Sequence, residues 1–324
     1  MTTQDVMRTN GQLAKYGDAG TQAAPAIDDM MLDIEQRMFD IIDSDVDILR
    51  DASRHILEAG GKRVRPRLVL LSFLANGGTD IQPILSAAAA LELVHTASVV
   101  HDDINDHGVM RRGRPSVNQI WGRTFALLTG DFLFTKVYEL MADYGPALNS
   151  VFSEATTALV EGETLQAAAV KEGNLNREIY MKIIALKTAA LFKAGGMIGA
   201  MLAKANPQAI DAMGRYGYNI GLAFQIVDDI LDLTADAEQL GKTAGLDAQQ
   251  GKGLSSVSDS AEPGEAAAFE SIKQKALSGD RIAEGRAQAQ HLVTMAIAEL
   301  VILPDNEARQ GLITLAQLIV NREK

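Results

Sequence analysis

The sequence contains no cysteine, one tryptophan and few other aromatic residues, and its acidic residues outnumber its basic ones. The absence of cysteine excludes disulfides, thiolate catalysis and zinc sites built from Cys ligands, and it makes a reducing cytoplasm the expected location. With only 5% aromatic residues and abundant Ala, Leu, Ile and Val, helices are favoured over a β-sandwich. The net charge of −12 argues against nucleic acid as a partner, because phosphate binding requires a basic face.

Long apolar runs are also missing. No uninterrupted stretch approaches the roughly 18 to 20 apolar residues of a membrane-spanning helix, and no signal-peptide core precedes the first charged segment. We therefore expect no transmembrane segment, while peripheral membrane contact stays open. The 324 residues are 47% hydrophobic, which is enough for one large core.

The hydrophobic pattern predicts an all-α protein. Residues 1–24 are polar and are interpreted as a loose tail, and residues 25–324 form the predicted single helical domain. The segments "QPILSAAAALELVHTASVVHDDIND" and "TFALLTGDFLFTKVYELMADYG" are apolar nearly all round and each predicts a buried helix. Residues 241–265 are too rich in Gly and Ser for a packed element and are interpreted as a lid. We expect a bundle of ten or more mostly antiparallel helices.

Two clusters of aspartates share the spacing Asp-Asp-x-x-Asp, which places three carboxylates on one side of a helix. The copies are Asp102, Asp103 and Asp106, and Asp228, Asp229 and Asp232. A shuffled chain of this composition would contain roughly 0.15 copies of the pattern. A solvated helix end would explain the first cluster alone, but the second lies among Ile, Val and Leu residues, where that explanation fails.

Six inward carboxylates would place a charge of about −6 in an apolar interior, and we expect this to be tolerated only if several divalent cations and a polyanion lie between the clusters. Mg²⁺ is the expected ion, because it binds carboxylates together with substrate phosphates. Basic residues near the same helix ends would bind a diphosphate, although each taken singly is more simply a surface charge. They are Lys62, Arg63, Arg65, Arg111, Arg112, Lys187, Lys242 and Lys252.

From about Ile27 to its C-terminus, the chain resembles the trans-isoprenyl diphosphate synthases, also called polyprenyl synthetases, of the medium- and long-chain type. The motifs that carry the resemblance are "GGKRVRP", "ELVHTASVVHDDIND", "RRGRPSVNQIWG", "GDFLF", "GETLQ", "LKTAALF", "AFQIVDDILD" and "GKTAG". The resemblance implies the isoprenoid synthase fold around a central apolar cavity and a homodimer. It also implies head-to-tail, all-trans condensation of an allylic diphosphate with isopentenyl diphosphate.

The resemblance also implies individual roles. Asp102, Asp103, Asp106, Asp228 and Asp229 would hold Mg²⁺ on the allylic diphosphate, with Asp232 as the outer member of its motif. Arg111, Lys187 and Lys242 would bind that diphosphate, and Lys62, Arg65, His95 and Arg112 would bind isopentenyl diphosphate. Thr188 and Gln225 would line the reacting allylic carbons, and Lys252 would come from the closing segment. After Gly251–Lys252 the chain departs from the family pattern with "GLSSVSDSAEPGE", which leaves the lid conformation and the role of Lys252 open.

Product length is partly readable from the residues before the first motif. Ala97 and Ser98 precede Asp102 by about one helical turn, so their side chains lie beneath the metal site. Both are small, so a growing chain can pass between the helices, and Phe132 is expected as a wall or floor. We expect a product of more than fifteen carbons.

Three other classes of protein share some of these features. A class I terpene cyclase would lack the isopentenyl diphosphate residues, and a non-catalytic subunit of a heteromeric prenyl synthase would lose aspartates. A plain acidic metal-binding helical protein would need neither set. The sequence retains both sets, which favours the synthase.

Overall fold

The computed structural model describes residues 27–173, 176–234 and 280–322, except for the side chains of residues 232–234, 280 and 281. The predicted tail at 1–24, the predicted lid at 241–265 and the side chains of Asp232, Lys242 and Lys252 lie outside this part of the chain. The extent of the single domain predicted over 25–324 therefore stays a prediction.

The described residues are almost entirely helical, so the all-α prediction is confirmed. The helices are α1 Ile27–Ile41, α2 Asp47–Glu58, α3 Val64–Ala75, α4 Ile81–Asn105, α5 Val117–Met141, α6 Pro146–Glu172, α7 Arg177–Ile184, α8 Ala190–Leu202, α9 Pro207–Thr234, α10 Asp280–Glu299 and α11 Glu307–Val320. A π-helical turn, Ala185–Ala189, joins α7 to α8, and a 3-10 turn, Leu300–Ile302, follows α10. Strands β1 (Met110–Arg111) and β2 (Arg114–Pro115) form a short antiparallel hairpin in which Met110 pairs with Pro115.

Helix α4 is the centre of the bundle. Its apolar residues are buried on every side, and it packs against α1, α3, α5 and α8. The side chain of Asp80 caps its first turn by accepting a hydrogen bond from the Gln82 backbone N–H. This all-round burial confirms the prediction for α4 and carries the first aspartate motif to the interior of the protein.

Two helical stretches are long and apolar enough to cross a membrane by length and composition, namely α4 and Arg177–Leu202. The protein itself buries 78% of the apolar window in the first and 67% in the second. Burial on this scale is that of core helices.

The prediction that α5 is a buried helix is wrong for one of its faces. Phe125, Leu127, Leu128 and Tyr138 are exposed, Tyr138 to 77%. Gly122, with φ of 80°, interrupts the helical geometry near its start and redirects the helix. Apolar composition cannot distinguish a helix buried in the core from a helix with one apolar face that no other part of the described chain covers.

Candidate active site

A cavity of about 540 Å³ lies among α3, α4, α6, α7, α9, the β-hairpin, the π turn and the residues just beyond α11. Its walls carry most of the residues expected to bind substrate or metal. Those among its lining are Lys62, Arg63, Arg65, His95, Ser98, Asp102, Asp103, Asp106, Arg111, Arg112, Lys187, Thr188, Gln225, Asp228 and Asp229. Apolar side chains also line it, including Val99, Leu159 and Phe224. The cavity thus combines acidic, cationic and apolar walls.

The first aspartate motif occupies the C-terminal end of α4. Asp102 and Asp103 lie in its last turn, and Asp103 is only 2% exposed. The helix ends at Asn105, so Asp106 is the C-cap and not a helical residue, and its backbone N–H donates to the Asp102 carbonyl at 2.8 Å. The C-terminus of a helix carries partial negative charge, which opposes carboxylates and favours a bound cation.

The second motif lines the same cavity as the first. Asp228 and Asp229 project from α9, and Asp229 is 6% exposed. Asp232 lies within the same helix, but its side chain is outside the described atoms. The two motifs therefore share one hollow, as the spacing argument requires.

Protein groups offset part of the negative charge of the two motifs, and the expected divalent cations stay a prediction. The ion pairs are Lys187 Nζ–Asp102 Oδ2 at 3.3 Å, Arg111 Nη2–Asp103 Oδ1 at 2.6 Å and Arg322 Nη2–Asp228 Oδ1 at 3.5 Å. Asp229 accepts hydrogen bonds from the neutral groups of Tyr180 and Gln225. Arg111 and Lys187, expected to bind diphosphate, each pair with an aspartate of the first motif.

Lys187 lies between two carboxylates. Its Nζ is 2.5 Å from Glu163 Oε1 and 3.3 Å from Asp102 Oδ2. Although burial opposes its charged form, Asp102 and Glu163 together raise the pKa of Lys187. Burial, followed by the charge of Asp102, raises the pKa of Glu163 to about 7, against the opposing effect of Lys187.

Close backbone packing places Lys187 in this position. A Cβ on Gly162 would lie 2.6 Å from the Lys187 backbone nitrogen, so only glycine allows α6 to approach the π turn this closely. A π turn inserts one residue into a helix and is frequent at functional sites. Here it turns Lys187 and Thr188 into the cavity while the helix continues.

A chain of hydrogen bonds links the π turn to the second motif. Thr188 Oγ1 donates to Gln225 Oε1 at 2.8 Å, and Gln225 Nε2 donates to Asp229 Oδ1 at 2.9 Å. The Tyr180 hydroxyl donates to Asp229 Oδ2 at 2.6 Å. Burial and the neighbouring Asp229 keep the pKa of Tyr180 far above its ordinary value, so this hydroxyl remains a donor.

A cationic wall lies beside the second motif and is formed by Lys62, Arg65, Arg112 and Arg322. Arg65 is 8% exposed, its Nε has no hydrogen-bond partner among the described residues, and burial lowers its pKa to about 10. Burial, then the charge of Arg322, lowers the pKa of Lys62, and burial with Arg63 lowers that of Arg112. Cations that depress one another's pKa in this way form a site for an anion.

His95 lies against the same wall and is neutral. Burial first, and then Arg65 and Arg112, hold its pKa well below the ordinary value. A neutral imidazole donates from one ring nitrogen, so it can hydrogen-bond an anion without adding charge.

Arg63, counted among the basic residues, has a structural role instead. It binds Glu35 at 3.0 Å, Glu92 at 3.1 Å and the Leu57 carbonyl at 3.1 Å. These contacts fix the start of α3 and so the direction of Arg65.

The three residues expected to control product length lie in different surroundings. Ser98 lines the cavity. Ala97 is fully buried in the core, Phe132 is partly buried against it, and neither is part of the described lining. Their effect on chain length stays a prediction.

Sequence reasoning missed Tyr180 and Arg322, which line the cavity, and Glu163, which pairs with the cavity residue Lys187. Glu163 lay within the quoted motif "GETLQ", and its acidic type was a usable signal. Tyr180 resembles a core aromatic, and Arg322 is an isolated charge near the end of the chain, so neither carried a signal before folding.

The donor set fits a metal that a ligand completes. Among residues whose side chains are described, no group of three or more His, Cys, Asp or Glu could hold an ion by itself. The carboxylates of both motifs nevertheless supply the hard oxygens that Mg²⁺ prefers, and Mg²⁺ characteristically takes its remaining ligands from water and substrate phosphates. The arrangement suits an ion that binds together with a diphosphate.

Comparisons with known proteins agree with this geometry. A sequence model of the polyprenyl synthetase family matches residues 46–283. Octaprenyl diphosphate synthase of Escherichia coli is 32% identical over 311 residues, covering 91% of this chain and 96% of that protein. The short chain isoprenyl diphosphate synthase of Methanothermobacter thermautotrophicus is 37% identical over 303 residues, covering 87% and 93%.

A solved structure gives the same assignment. Polyprenyl synthase from Caulobacter crescentus, crystallised with calcium and isoprenyl diphosphate, matches with a TM-score of 0.83 and 31% identity over 94% of this chain and 100% of that one. The all-α fold is therefore that of the polyprenyl synthases. The family model covers more than half of the sequence, and the chain belongs to the polyprenyl synthetase family of prenyltransferases, which bind diphosphates with a divalent metal.

Proposed function

We propose that this prenyltransferase joins an allylic diphosphate to isopentenyl diphosphate, head to tail and all-trans, to give a polyprenyl diphosphate of twenty carbons or more. The observation that carries the proposal is the shared cavity, which both aspartate motifs line beside a cationic wall. A cyclase needs one diphosphate subsite, whereas this cavity offers two chemically distinct ones.

The allylic subsite is the acidic part of the cavity. Several Mg²⁺ ions, held by Asp102, Asp103, Asp106, Asp228 and Asp229, would neutralise the diphosphate and stabilise it as a leaving group. Asp232 and Lys242 belong to this subsite by resemblance and lie outside the described atoms.

Two cations would exchange partners when this subsite fills. Arg111 and Lys187 pair with Asp103 and Asp102 in the structure. When metal takes over these carboxylates, both cations become available to diphosphate oxygens.

The isopentenyl subsite is the cationic wall. Arg65 supports this assignment, because a buried guanidinium with an unsatisfied Nε gains free energy when an anion arrives. Lys62, Arg112 and neutral His95 complete the wall, and Arg322 joins them from the end of α11.

The chemistry requires no protein nucleophile. The allylic carbon–oxygen bond breaks, diphosphate leaves with the electron pair, and an allylic carbocation remains in the apolar part of the cavity. The isopentenyl double bond attacks this cation, and the proton lost from the adduct goes to the departed diphosphate. Thr188 and Gln225, hydrogen-bonded to each other, would present oxygen dipoles to the cation. The chain contributes orientation and exclusion of water, and Lys252 of the predicted lid would add to that exclusion.

Product length follows from the apolar end of the cavity. Ser98 and Val99 on α4, with Leu159 on α6, leave room for chain growth. The proposed product of twenty carbons or more fits small side chains here, with Ala97 and Phe132 further along the path.

We also infer a homodimer that forms through the exposed face of α5. This face carries Phe125, Leu127, Leu128 and Tyr138, and Val160 on α6 is exposed as well. Apolar side chains grouped in this way mark an interaction surface. A Leu128→Glu variant should sediment as a monomer, whereas Val301→Glu, also at an exposed apolar position (73%), should remain a dimer. If both variants remained dimers, the proposed interface would be refuted.

Cytoplasmic location and peripheral membrane contact are further parts of the proposal. A long prenyl chain partitions into lipid, because each buried CH₂ contributes about 0.8 kcal/mol. Flotation with phosphatidylcholine vesicles, in the presence and absence of the two substrates, tests this contact.

Incubation with Mg²⁺, farnesyl diphosphate and labelled isopentenyl diphosphate tests the reaction. Label should enter extractable lipid with the wild-type chain and with Asp305→Asn, an exposed control, but not with Asp103→Asn or Asp229→Asn. A cyclase would release unlabelled hydrocarbon. A non-catalytic subunit or a plain metal-binding protein would leave the label water-soluble.

A further inference from the structure

The carboxylate of Asp229 is oriented before any ligand arrives. Both of its oxygens accept a hydrogen bond, Oδ1 from Gln225 at 2.9 Å and Oδ2 from Tyr180 at 2.6 Å. Asp229 is 6% exposed and Tyr180 is 3% exposed, so water cannot readily replace the tyrosine hydroxyl.

The π turn explains how one helix supplies both ends of this arrangement. At 3.6 residues per turn, residues seven apart lie about 20° from each other around an α-helix, whereas residues eight apart lie about 80° apart. Tyr180 and Thr188 are eight apart, with the π turn Ala185–Ala189 between them. Because that turn inserts one residue, it brings both side chains onto the face that meets α9, where Thr188 holds Gln225 and Tyr180 holds Asp229.

We propose that Tyr180 is a positioning residue that holds the Asp229 carboxylate in the orientation in which it binds the divalent metal. This rests on the proposed role of Asp229 as a metal ligand. Groups that hydrogen-bond a metal ligand from behind fix its direction, and their loss weakens metal binding by about 10- to 100-fold. Tyr180 does not touch the reacting atoms in this role and acts only through Asp229.

The test replaces Tyr180 with Phe, which keeps the ring and removes only the hydroxyl. Tyr216→Phe is the matched control, because the Tyr216 hydroxyl is equally buried and donates to the Leu312 carbonyl at 2.6 Å, away from the cavity. Binding of Mn²⁺ in the presence of inorganic diphosphate is measured by electron paramagnetic resonance on the full chain. Thermal unfolding without metal checks that both variants fold.

We expect Tyr180→Phe to bind Mn²⁺ about tenfold more weakly than the wild type, and Tyr216→Phe to bind it equally well. Excess Mg²⁺ should restore kcat of Tyr180→Phe while the KM for isopentenyl diphosphate stays unchanged. Equal Mn²⁺ affinity in Tyr180→Phe and the wild type would overturn the inference, and so would equal weakening in both variants. If Asp229→Asn bound Mn²⁺ as tightly as the wild type, the proposed metal site itself would be refuted.

Discussion

Replacing Arg65 with Met should stabilise the ligand-free protein and abolish its use of isopentenyl diphosphate. The guanidinium is 8% exposed, its Nε is unsatisfied among the described residues, and burial lowers its pKa from 12.5 to about 10. At about 1.4 kcal/mol per pKa unit, this fall means that burying the charged Arg65 side chain lowers the free energy of unfolding by about 3 kcal/mol. The substitution also removes a cation–π contact, in which the guanidinium carbon lies 4.9 Å from the centre of the Phe192 ring. Losing this contact offsets about 1 kcal/mol of the expected gain in stability.

The net expectation is a gain of about 1 to 3 kcal/mol in the free energy of unfolding. Arginine is protonated both folded and unfolded well below pH 10, so this gain should be constant between about pH 6 and 8. Met keeps much of the apolar stem, so the variant tests the charge and not the packing.

Urea unfolding of the ligand-free chain measures the gain, and the initial rate against isopentenyl diphosphate concentration measures function. Arg67→Met is the control, since Arg67 is 37% exposed and pairs at the surface with Asp28, so its loss should change stability by less than about 1 kcal/mol. A less stable Arg65→Met, or one with the wild-type KM for isopentenyl diphosphate, would refute the reasoning that this site is strained until an anion fills it.

The other side of the cavity leads to three further predictions. The pKa of Glu163 is raised from 4.5 to about 7 in the folded protein, so its contribution to stability is present below about pH 4.5 and is lost as the pH rises to about 7. The unfolding free energy of Glu163→Gln should therefore rise by about 1 to 3 kcal/mol relative to that of the wild type between these two pH values. A difference in unfolding free energy that does not change with pH would contradict this. Gly162→Ala should displace the π turn, because the added Cβ would lie 2.6 Å from the Lys187 backbone nitrogen. We expect kcat to fall about 100-fold as Lys187 moves. An unchanged kcat would show that this contact does not position Lys187. Ser98→Phe should fill part of the cavity and shorten the product, measured by mass spectrometry of the dephosphorylated alcohols; an unchanged length would place the path of the growing chain elsewhere.

The fold class and both aspartate motifs could be predicted because they depend on local patterns. An all-round apolar stretch such as α4 has one stable location, inside a bundle, and the Asp-Asp-x-x-Asp spacing puts carboxylates on one face wherever a helix forms. Asp106 shows the limit of this reasoning, because the helix ends one residue before it. The sequence pattern does not determine the last residue of a helix, since the capping hydrogen bond depends on the path of the chain beyond the helix end.

The sequence by itself thus determined the helices, the repeated acidic spacing and the cationic residue types, since each is a property of residues close together in the chain. Only the tertiary structure decided which charges meet. It paired Lys187 with Glu163, placed Tyr180 behind Asp229 and brought Arg322 back to Asp228, across separations of 24, 49 and 94 residues. Such contacts depend on how whole helices pack, on the close approach that Gly162 permits and on the one residue that the π turn inserts, and none of these leaves a periodic trace in the sequence.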